Sequence, residues 1–315
     1  MISVIMPVFN AEKYIKKSVE SILSQTESNL ELLIIDDCGQ DSSMEIVSSI
    51  NDSRIRVLKN DENRGIAFSR NRGLDEARGE YIALMDDDDI APLKRLELGK
   101  KYLEENVNVD VVGGSVIQID KNDCRLSEPY QVICNPKRIW AELLFRNVVA
   151  NGSTMMRSSF IRKHGLRYKD NYLGMEDYKF WTECAAVGNI ANMDEVLLFW
   201  RNIEGNETHR YMKEKQDARK ELFAQIQKEN LEMNGFHLNE KEFCIYKQSF
   251  NETKRDYITL AELKETHMVL EKLIQQAREK KIPCLSEFEF VCHRMFALKT
   301  ENSELWRRRT STCGL

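Results

Sequence analysis

The chain has 315 residues, of which 42% are hydrophobic and 31% are charged, a composition that is typical of a folded protein and excludes a fully disordered one. Its length fits one domain of about 200 residues followed by a region of about 100 residues. Basic and acidic residues nearly balance, at 46 against 51, so the charge excludes a broadly basic surface and predicts no nucleic-acid partner.

Up to about residue 119 the sequence alternates short β-branched runs with helical patterns, which indicates a parallel sheet with crossover helices. The predicted strands, all expected to be buried, are Ile2–Met6, Leu30–Ile35, Ile55–Leu58, Tyr81–Met85 and Val109–Ile119. The predicted helices are Glu12–Gln25 with Asn10 as its N-cap, a helix from Ser42, Ile66–Ala77 and a helix after Pro92. This order predicts an α/β fold with a doubly wound, mostly parallel, Rossmann-like sheet, whose ligands bind beyond the C-terminal ends of the strands.

From about residue 120 to residue 204 the pattern is mixed, and beyond about residue 210 it changes to long, charged helical segments. In the mixed part we expect helices at Trp140–Phe145 and Glu176–Ala186 and a strand at Asn151–Arg157. The later helices are predicted at Ala218–Met233, Tyr257–Lys280 and Ser286–Lys299. The polar stretch Glu204–His209 favours a turn, so we predict an α/β domain over residues 1–205 and a helical region over residues 206–315.

Two acidic clusters follow the second and fourth predicted strands. Asp36, Asp37 and Asp41 form the first cluster, and the run 86–89 of four aspartates forms the second. Because carboxyl ends of parallel strands share one edge of a doubly wound sheet, both clusters are expected to face the same crevice. Neighbouring carboxylates raise each other's pKa unless a cation compensates them, and Mg²⁺ or Mn²⁺ is bound by carboxylate and phosphate oxygens.

An acidic run can also be a solvated turn, but this one lies between a buried strand and the apolar residues Ile90 and Ala91, which favours a metal site. Competing phosphate-binding motifs are absent. Residues 7–10 after the first strand contain no G-x-G-x-x-G, which argues against a dinucleotide-binding oxidoreductase. The sequence also lacks G-x-x-x-x-G-K-[ST] and HExxH, which excludes the usual P-loop NTPase and gives no zinc-protease motif.

Four segments combine these strands, helices and acids: SVIMPVFNAEKYIKKSVESILSQT, ELLIIDDCGQDSS, NRGIAFSRNRGLDEARGEYIALMDDDD and GMEDYKFWTECAAVG. In order and spacing, over residues 2–201, they resemble the successive blocks of family 2 inverting glycosyltransferases with the GT-A fold. The resemblance implies a metal-assisted enzyme that transfers galactose, glucose or an N-acetylhexosamine from a UDP-sugar to an acceptor hydroxyl. It also implies that the acceptor is a glycan or glycolipid, in the biosynthesis of lipooligosaccharide, capsule or a related glycan.

The resemblance assigns the nucleotide site to residues after the first two strands. Asp37 takes the position of the family's acid that recognises the uracil or ribose, and the backbone around Pro7 and Phe9 closes over the base. Three residues of the basic segment 64–72, namely Arg64, Arg70 and Arg72, could reach phosphate. We interpret them instead as solvated or structural charges on an exposed helix.

The D-x-D motif of the family corresponds to Asp86, Asp87 and Asp88. By this resemblance Asp88 ligates Mn²⁺ or Mg²⁺ directly, while Asp86 contacts ribose or reaches the metal through water. Asp87 belongs to the same cofactor-binding run, and Asp89 braces the loop.

The family's E-D pair corresponds to Glu176 and Asp177. The resemblance makes Asp177 the general base that removes the proton of the acceptor hydroxyl, and Glu176 orients it or binds the acceptor. Both acids would also stabilise the N-terminus of a helix through its dipole, which is the structural alternative. One departure concerns metal binding: Trp200-Arg201 is followed by Asn202 rather than by the family's nearby histidine, so no third metal ligand is assigned.

Two other functions remain open from the sequence. A sugar nucleotidyltransferase shares the sheet and the acidic metal site, but it typically has a Gly-rich, basic loop after the first strand, and PVFNAEKY lacks one. A non-catalytic binding or scaffold protein would recruit partners through the helical region. The presence of every acid expected of the active enzyme argues against this non-catalytic alternative.

The helical region carries an apolar stripe formed by Leu263, Val269, Leu270, Leu273 and Ile274. Such a stripe is typical of packing against the catalytic domain or of a homodimer contact. The alternative is peripheral membrane contact, because the basic tail 307–309 beside an aromatic residue suits an anionic lipid surface. The sequence shows no signal peptide and no run near the ~20 apolar residues that span a bilayer. We therefore expect a cytoplasmic protein, with the inner face of the cell membrane as its alternative site.

Overall fold

The computed structural model describes residues 1–172, 174–203, 216–251 and 259–301. These residues form two compact units: residues 1–136 and 148–203 form the first, and residues 137–147 join the described residues after 215 in the second. Residues 137–147 thus belong with the C-terminal helices, although the sequence placed them in the α/β domain. The predicted boundary Glu204–His209 lies outside the described residues.

The described residues of the first unit form a seven-stranded sheet at its centre. Its strands are β1 (Ile2–Val8), β2 (Leu30–Asp36), β3 (Ile55–Lys59), β4 (Tyr81–Leu84), β5 (Val111–Ile119), β6 (Met155–Arg157) and β7 (Ile190–Arg201). The strand order is β3-β2-β1-β4-β6-β5-β7, with β6 antiparallel to β4 and β5 and the other described pairs parallel. The predicted doubly wound, mostly parallel sheet is therefore confirmed.

Helices alternate with the strands along the first half of the chain. The helices of the described residues are α1 (Ile15–Leu23), α2 (Ser43–Ser49), α3 (Ile66–Glu76), α4 (Arg95–Glu105), α5 (Pro136–Leu143), α6 (Ser158–His164), α7 (Glu176–Val187), α8 (Gln216–Met233), α9 (Glu240–Phe250), α10 (Leu260–Lys280) and α11 (Leu285–Glu301). Because α1, α2 and α3 each connect two strands of the same parallel set, the carboxyl ends of β1, β2 and β4 meet at one edge.

The core of the first unit consists mainly of apolar residues of the sheet and of the inner face of α1. Every residue of β1, β2 and β4 is buried, as the continuous apolar runs predict. The expectation that all strands are buried is wrong for β3, which is partly exposed along its whole length. The reason is its position, since β3 lies at the edge of the sheet and pairs with β2 alone among the described strands.

Several predicted boundaries change in the structure. Asn10 does not cap α1, because the helix begins at Ile15 and Asn10 adopts a left-handed backbone with φ of 55°. The predicted strand Asn151–Arg157 divides into a 3-10 turn (Asn151–Ser153) and β6. The sequence did not predict α6, β7 or α9. The polar residues Asp194 and Glu195 interrupt the apolar pattern of β7 at an irregularity in its pairing with β5.

The second unit is organised around residues 137–147. Three consecutive carbonyl oxygens at the C-terminal end of this segment, those of residues 143–145, accept hydrogen bonds from Asn230 (2.9 Å), Tyr246 (2.7 Å) and Gln227 (2.8 Å). The fully buried carboxylate of Glu142 pairs with Arg146 at 2.9 Å and with Arg294. Residues of α8, α9 and α11 thereby form hydrogen bonds and ion pairs with the polar groups that have no partner within α5 at its C-terminal end.

The apolar stripe of α10 is buried inside this same unit. Its five residues are at most 6% exposed, and four of them, all except Leu263, belong to one cluster with Phe288 and Val291 of α11. The stripe therefore packs against neighbouring helices of its own unit and does not form a free face for a second copy of the chain. A homodimer through other surfaces of the C-terminal helices stays a prediction. The basic tail 307–309 lies outside the described residues. None of the helices in the described part of the chain is both long and apolar enough to cross a membrane.

Candidate active site

The loops after β1, β2 and β4 are joined at the carboxyl edge of the sheet. The amide of Asp37 donates to the carbonyl of Val8 (3.0 Å), and the amide of Phe9 donates to Oδ2 of Asp87 (3.0 Å). The two acidic clusters are thus connected through the end of β1. This arrangement agrees with the expectation that both lie at one edge.

Asp37 is buried and organises the loop that leads into α3. Its Oδ1 accepts from Asn60 Nδ2 (2.6 Å) and from the Arg64 amide (2.9 Å), and its Oδ2 accepts from the Gly65 amide (2.8 Å). Gly65 has φ of 84°, a conformation that favours glycine. Since a carboxylate has about four acceptor positions, three are used within the protein. A contact of Asp37 with a nucleotide would be an addition to this loop-forming role.

Pro7 and Phe9 differ in exposure at the same edge. Pro7 is buried in β1, opposite Ile35 of β2. The Phe9 side chain is 45% exposed directly after the strand. Beyond it, Asn10 Oδ1 accepts from the amide of Gln40 (2.7 Å), which ties the β1 loop to the β2 loop. An exposed aromatic ring on an anchored loop offers a flat surface for a planar base.

The acidic run 86–89 has an exposed side and a buried side. Asp86, Asp87 and Asp88 are half-buried, whereas Asp89 is fully buried. Oδ1 of Asp89 accepts from the amide of Arg201 (2.8 Å), while its Oδ2 is buried without a hydrogen-bond partner in the described part of the protein. Burial and then the charges of Asp88 and Asp86 raise the pKa of Asp89 well above its usual value. The bracing position expected for Asp89 thus has a structural basis.

Two buried arginines contact the main chain of this run and of the strand that precedes it. Arg201, with no exposed surface, donates from Nε to the carbonyl of Asp88 and from Nη1 to the carbonyl of Asp120, both at 2.7 Å. Its Nη2 forms an ion pair with Asp123 at 2.7 Å. The Arg95 guanidinium contacts the main chain at the end of β4. Burial lowers the pKa of Arg95 to about 10, although the charges of Asp89 and Asp86 act in the opposite direction.

Arg70 contradicts the interpretation of α3 as an exposed basic helix. Its side chain is 5% exposed, and its guanidinium contacts Asp86 Oδ1 (2.9 Å) and Glu176 Oε1 (3.0 Å). Burial lowers the pKa of Arg70, but Asp86, Tyr168 and Glu176 raise it by more, so the pKa lies above its usual value. One sequence signal could have indicated this position, since Arg70 lies at helical spacing from the buried Ala67 and Leu74. Arg64 is exposed, as expected.

Glu176 and Asp177 begin α7, as predicted. Glu176 is 7% exposed, and its Oε2 is buried without a hydrogen-bond partner among the described residues. Asp177 is half-buried, and its Oδ1 accepts from the amide of Tyr178 (2.6 Å). Through Arg70, the E-D pair and the D-x-D run belong to one connected site.

The donor set of this site fits a divalent cation that shares its ligands with a substrate. Within the described residues, no three His, Cys, Asp or Glu side chains come together as a complete metal site. Asp86 and Asp88 still offer half-buried carboxylates, and Mg²⁺ commonly takes one or two carboxylates and completes its shell with waters and substrate phosphates. His209, the histidine nearest to the Trp200-Arg201 pair, lies outside the described residues.

Comparison with known proteins shows which family the chain is similar to. Residues 3–165 match the family described as Glycosyl transferase family 2. An uncharacterized glycosyltransferase of Haemophilus influenzae is 35% identical over 73% of this chain and 73% of its own length. The Escherichia coli protein named UDP-Glc:alpha-D-GlcNAc-diphosphoundecaprenol beta-1,3-glucosyltransferase WfgD is 30% identical over 61% of this chain and 72% of its own length.

The fold also has solved counterparts. The crystal structure of Staphylococcus aureus TarS 1-349 in complex with UDP-GlcNAc matches with a TM-score of 0.63 and 19% identity, over 93% of this chain and 90% of that chain. At this identity the match concerns the fold, and it confirms the GT-A-like architecture. The match to the family over more than half of the chain, together with the Haemophilus relative, shows that this protein belongs to glycosyl transferase family 2 and is a glycosyltransferase.

Proposed function

We propose that the protein is an inverting, metal-assisted glycosyltransferase that uses a UDP-sugar to extend a bacterial surface glycan such as lipooligosaccharide or capsule. The observation that carries the proposal is the double contact of Arg70 with Asp86 and Glu176. It joins the run expected to bind the sugar nucleotide to the pair expected to act on the acceptor. A transfer reaction requires these two groups of residues within one site.

The choice of a UDP-sugar is supported by the relatives and by the nucleotide end of the site. WfgD is named as a UDP-glucose-dependent glucosyltransferase that acts on a diphosphoundecaprenol-linked acceptor, and TarS 1-349 was solved with UDP-GlcNAc. In this chain Asp37, the loop 60–65 and the exposed ring of Phe9 surround the position proposed for the uracil and ribose. The transferred sugar is proposed to be galactose, glucose or an N-acetylhexosamine.

Asp88, with Asp86 beside it, is proposed to hold Mn²⁺ or Mg²⁺ together with the diphosphate of the donor. When bound, such an ion neutralises the negative charge that develops on the departing diphosphate. The protein's own contribution is to fix the acidic run: Arg201 holds the carbonyl of Asp88, and Arg70 holds the carboxylate of Asp86. Preorganised groups of this kind stabilise developing charge without reorganising during the reaction.

Asp177 is proposed to be the general base. An acceptor hydroxyl is a weak nucleophile until its proton is removed, and a positioned base typically contributes ~10²–10⁴ in rate. Asp177 is half-buried and lies in the first turn of α7. Glu176 precedes it and is held by Arg70, so it is proposed to orient the base or to bind the acceptor.

The test is a screen of the purified protein against UDP-galactose, UDP-glucose and UDP-N-acetylhexosamines with Mn²⁺. A bound donor should raise the thermal unfolding temperature by mass action. The best donor is then incubated with lipid-linked or oligosaccharide acceptors, and the anomeric configuration of the product is determined by NMR. Inversion of that configuration is expected, whereas retention would refute the proposed mechanism. Thermal stabilisation by another class of nucleotide sugar, without stabilisation by any UDP compound, would refute the proposed donor.

A further inference from the structure

Asn151 lies beside the acidic run at the start of the 3-10 turn that precedes β6. The amide of Leu84, the last residue of β4, donates to the carbonyl of Thr154 at 3.2 Å, which places the turn at the carboxyl end of that strand. The next residue, Gly152, fits closely against the acids. A Cβ at this glycine would lie 3.4 Å from Oδ2 of Asp89 and 3.6 Å from Oδ2 of Asp86.

The carboxamide of Asn151 is held in one orientation. The main-chain carbonyl of Asn151 accepts hydrogen bonds from the amide (3.1 Å) and the hydroxyl (2.8 Å) of Thr154. The side-chain Oδ1 accepts a hydrogen bond from the hydroxyl of Tyr168 (3.0 Å). Tyr168 is itself fixed, because its main chain exchanges two hydrogen bonds of 2.9 Å with the Asn71 side chain. The Tyr168 ring also stacks on Phe180 with centroids 4.1 Å apart. The Nδ2 group of Asn151 must therefore face away from Tyr168.

Two complementary polar atoms are left without partners in this part of the site. Nδ2 of Asn151 and Oε2 of Glu176 are both buried and have no hydrogen-bond partner among the described residues. Asn151 is 9% exposed and Glu176 is 7% exposed. The two residues are connected through Tyr168 and Arg70, whose guanidinium lies 5.3 Å from the Tyr168 ring centroid. An unpaired buried polar group is energetically unfavourable, so an unpaired donor and an unpaired acceptor in one network call for an explanation, and a ligand that pairs with both atoms supplies one.

We propose that Asn151 and Glu176 recognise one hydroxyl group of the transferred sugar. A hydroxyl oxygen accepts a hydrogen bond from Nδ2 of Asn151, and its hydrogen is donated to Oε2 of Glu176, so a single sugar hydroxyl satisfies both atoms. A phosphate would not, because it has no proton for Glu176 and would approach the carboxylates of Asp86, Asp89 and Glu176. The proposal rests on the proposed function as a sugar transferase. It makes Asn151 a specificity-determining residue and assigns Oε2 of Glu176 to the donor sugar in place of an acceptor contact, while Glu176 keeps the role of orienting Asp177.

The experiment measures the binding of UDP, of the preferred UDP-sugar and of its monodeoxy analogues with Mn²⁺ by calorimetry. Wild-type protein should bind one monodeoxy analogue at least roughly tenfold more weakly than the parent sugar, because the missing hydroxyl leaves both groups unpaired. Asn151→Ala should lose most of that discrimination while its affinity for UDP alone stays close to wild type. Tyr168→Phe, which releases the carboxamide, should reduce the same discrimination to a smaller extent.

Asn189→Ala is the matched control, since Asn189 Nδ2 donates to the carbonyl of Asn108 just before β7 and β5 begin, at the edge of the sheet opposite the acidic run. This variant should discriminate like wild type. The inference is overturned if Asn151→Ala still rejects the same analogue as strongly as wild type. If Asn151→Ala does not fold, undiminished discrimination by Tyr168→Phe overturns it instead. Failure of wild type to bind any UDP compound is a different result, which would refute the proposed function and the inference with it.

Discussion

The guanidinium of Arg70 contacts Oε1 of Glu176 at 3.0 Å, although the two residues are 106 positions apart in the chain. Its other terminal nitrogen contacts Asp86 at 2.9 Å. One buried side chain of α3 therefore sets the distance between the acidic run after β4 and the first turn of α7. Because the planar guanidinium has a fixed fork of donors, it also sets the relative orientation of the two carboxylates.

Replacing Arg70 by methionine should damage both stability and catalysis. Removal of one partner from a buried ion pair leaves an uncompensated charge, and the free energy of unfolding should fall by about 3 kcal/mol. Misplacement of the two acids should lower turnover by roughly 100-fold or more. Chemical denaturation and a UDP-release assay measure the two effects. Arg70→Lys restores the charge without the fork, so it should recover stability better than turnover.

Arg167→Met is the control for this substitution, because Arg167 forms an ion pair with Asp75 in which the side chains are 36% and 58% exposed. Such an exposed pair stabilises a protein by about 0–1 kcal/mol. The control should therefore unfold and turn over nearly as wild type does. Equal effects of the two substitutions would contradict the role given to Arg70.

Asp177→Asn should stop transfer while donor binding continues. The amide keeps the size of the side chain but accepts no proton from the acceptor hydroxyl, so turnover should fall by ~10²–10⁴. The affinity for UDP-sugar, measured by calorimetry with Mn²⁺, should be almost unchanged. If the variant transfers sugar at the wild-type rate, Asp177 is not the base.

Asp88→Asn should remove most of the gain in nucleotide affinity that the metal provides. Wild type should bind UDP more tightly with Mn²⁺ than with a chelator, and the variant should lose most of this gain because a neutral amide is a poorer ligand for a hard cation. We expect the affinity for UDP with Mn²⁺ to fall at least tenfold, which corresponds to about 1.4 kcal/mol. The control Asp194→Asn changes an exposed acid of the β7 irregularity and should bind like wild type. Equal affinities of wild type and Asp88→Asn would contradict the assignment.

Phe145→Ala should destabilise the helical unit, although this residue is far in sequence from α8–α11. Phe145 has no exposed surface and contacts the rings of Tyr246 and Phe250 with centroids 5.5 Å and 5.0 Å apart. A Phe→Ala change in a core typically costs about 3–5 kcal/mol. Met268→Ala is the control, since Met268 is 70% exposed. Thermal unfolding at the same midpoint for both variants would show that residues 137–147 are not essential to this unit.

Local sequence patterns were sufficient to identify five strands of the sheet and the edge at which its acids lie. Buried β-branched runs and helical periodicity are local patterns, so they indicated β1 to β5 and the crossover helices α1 to α4 without any knowledge of partners. The position of Asp37 and Asp86 at one edge then follows from the geometry of parallel strands. The same local logic predicted that Glu176 and Asp177 begin a helix.

Which charges are buried and which segments pack together depends instead on contacts between residues far apart in the chain. The helical spacing of Arg70 is compatible with burial, but its partner Glu176 is 106 positions away, and the Asp88 carbonyl that accepts from the Arg201 guanidinium is 113 positions away. Residues 137–147 also depend on distant partners, because side chains of helices that follow residue 215 donate hydrogen bonds to their carbonyl groups. Burial of a polar group is stable only when distant residues supply its hydrogen bonds, and a local pattern contains no information about those residues.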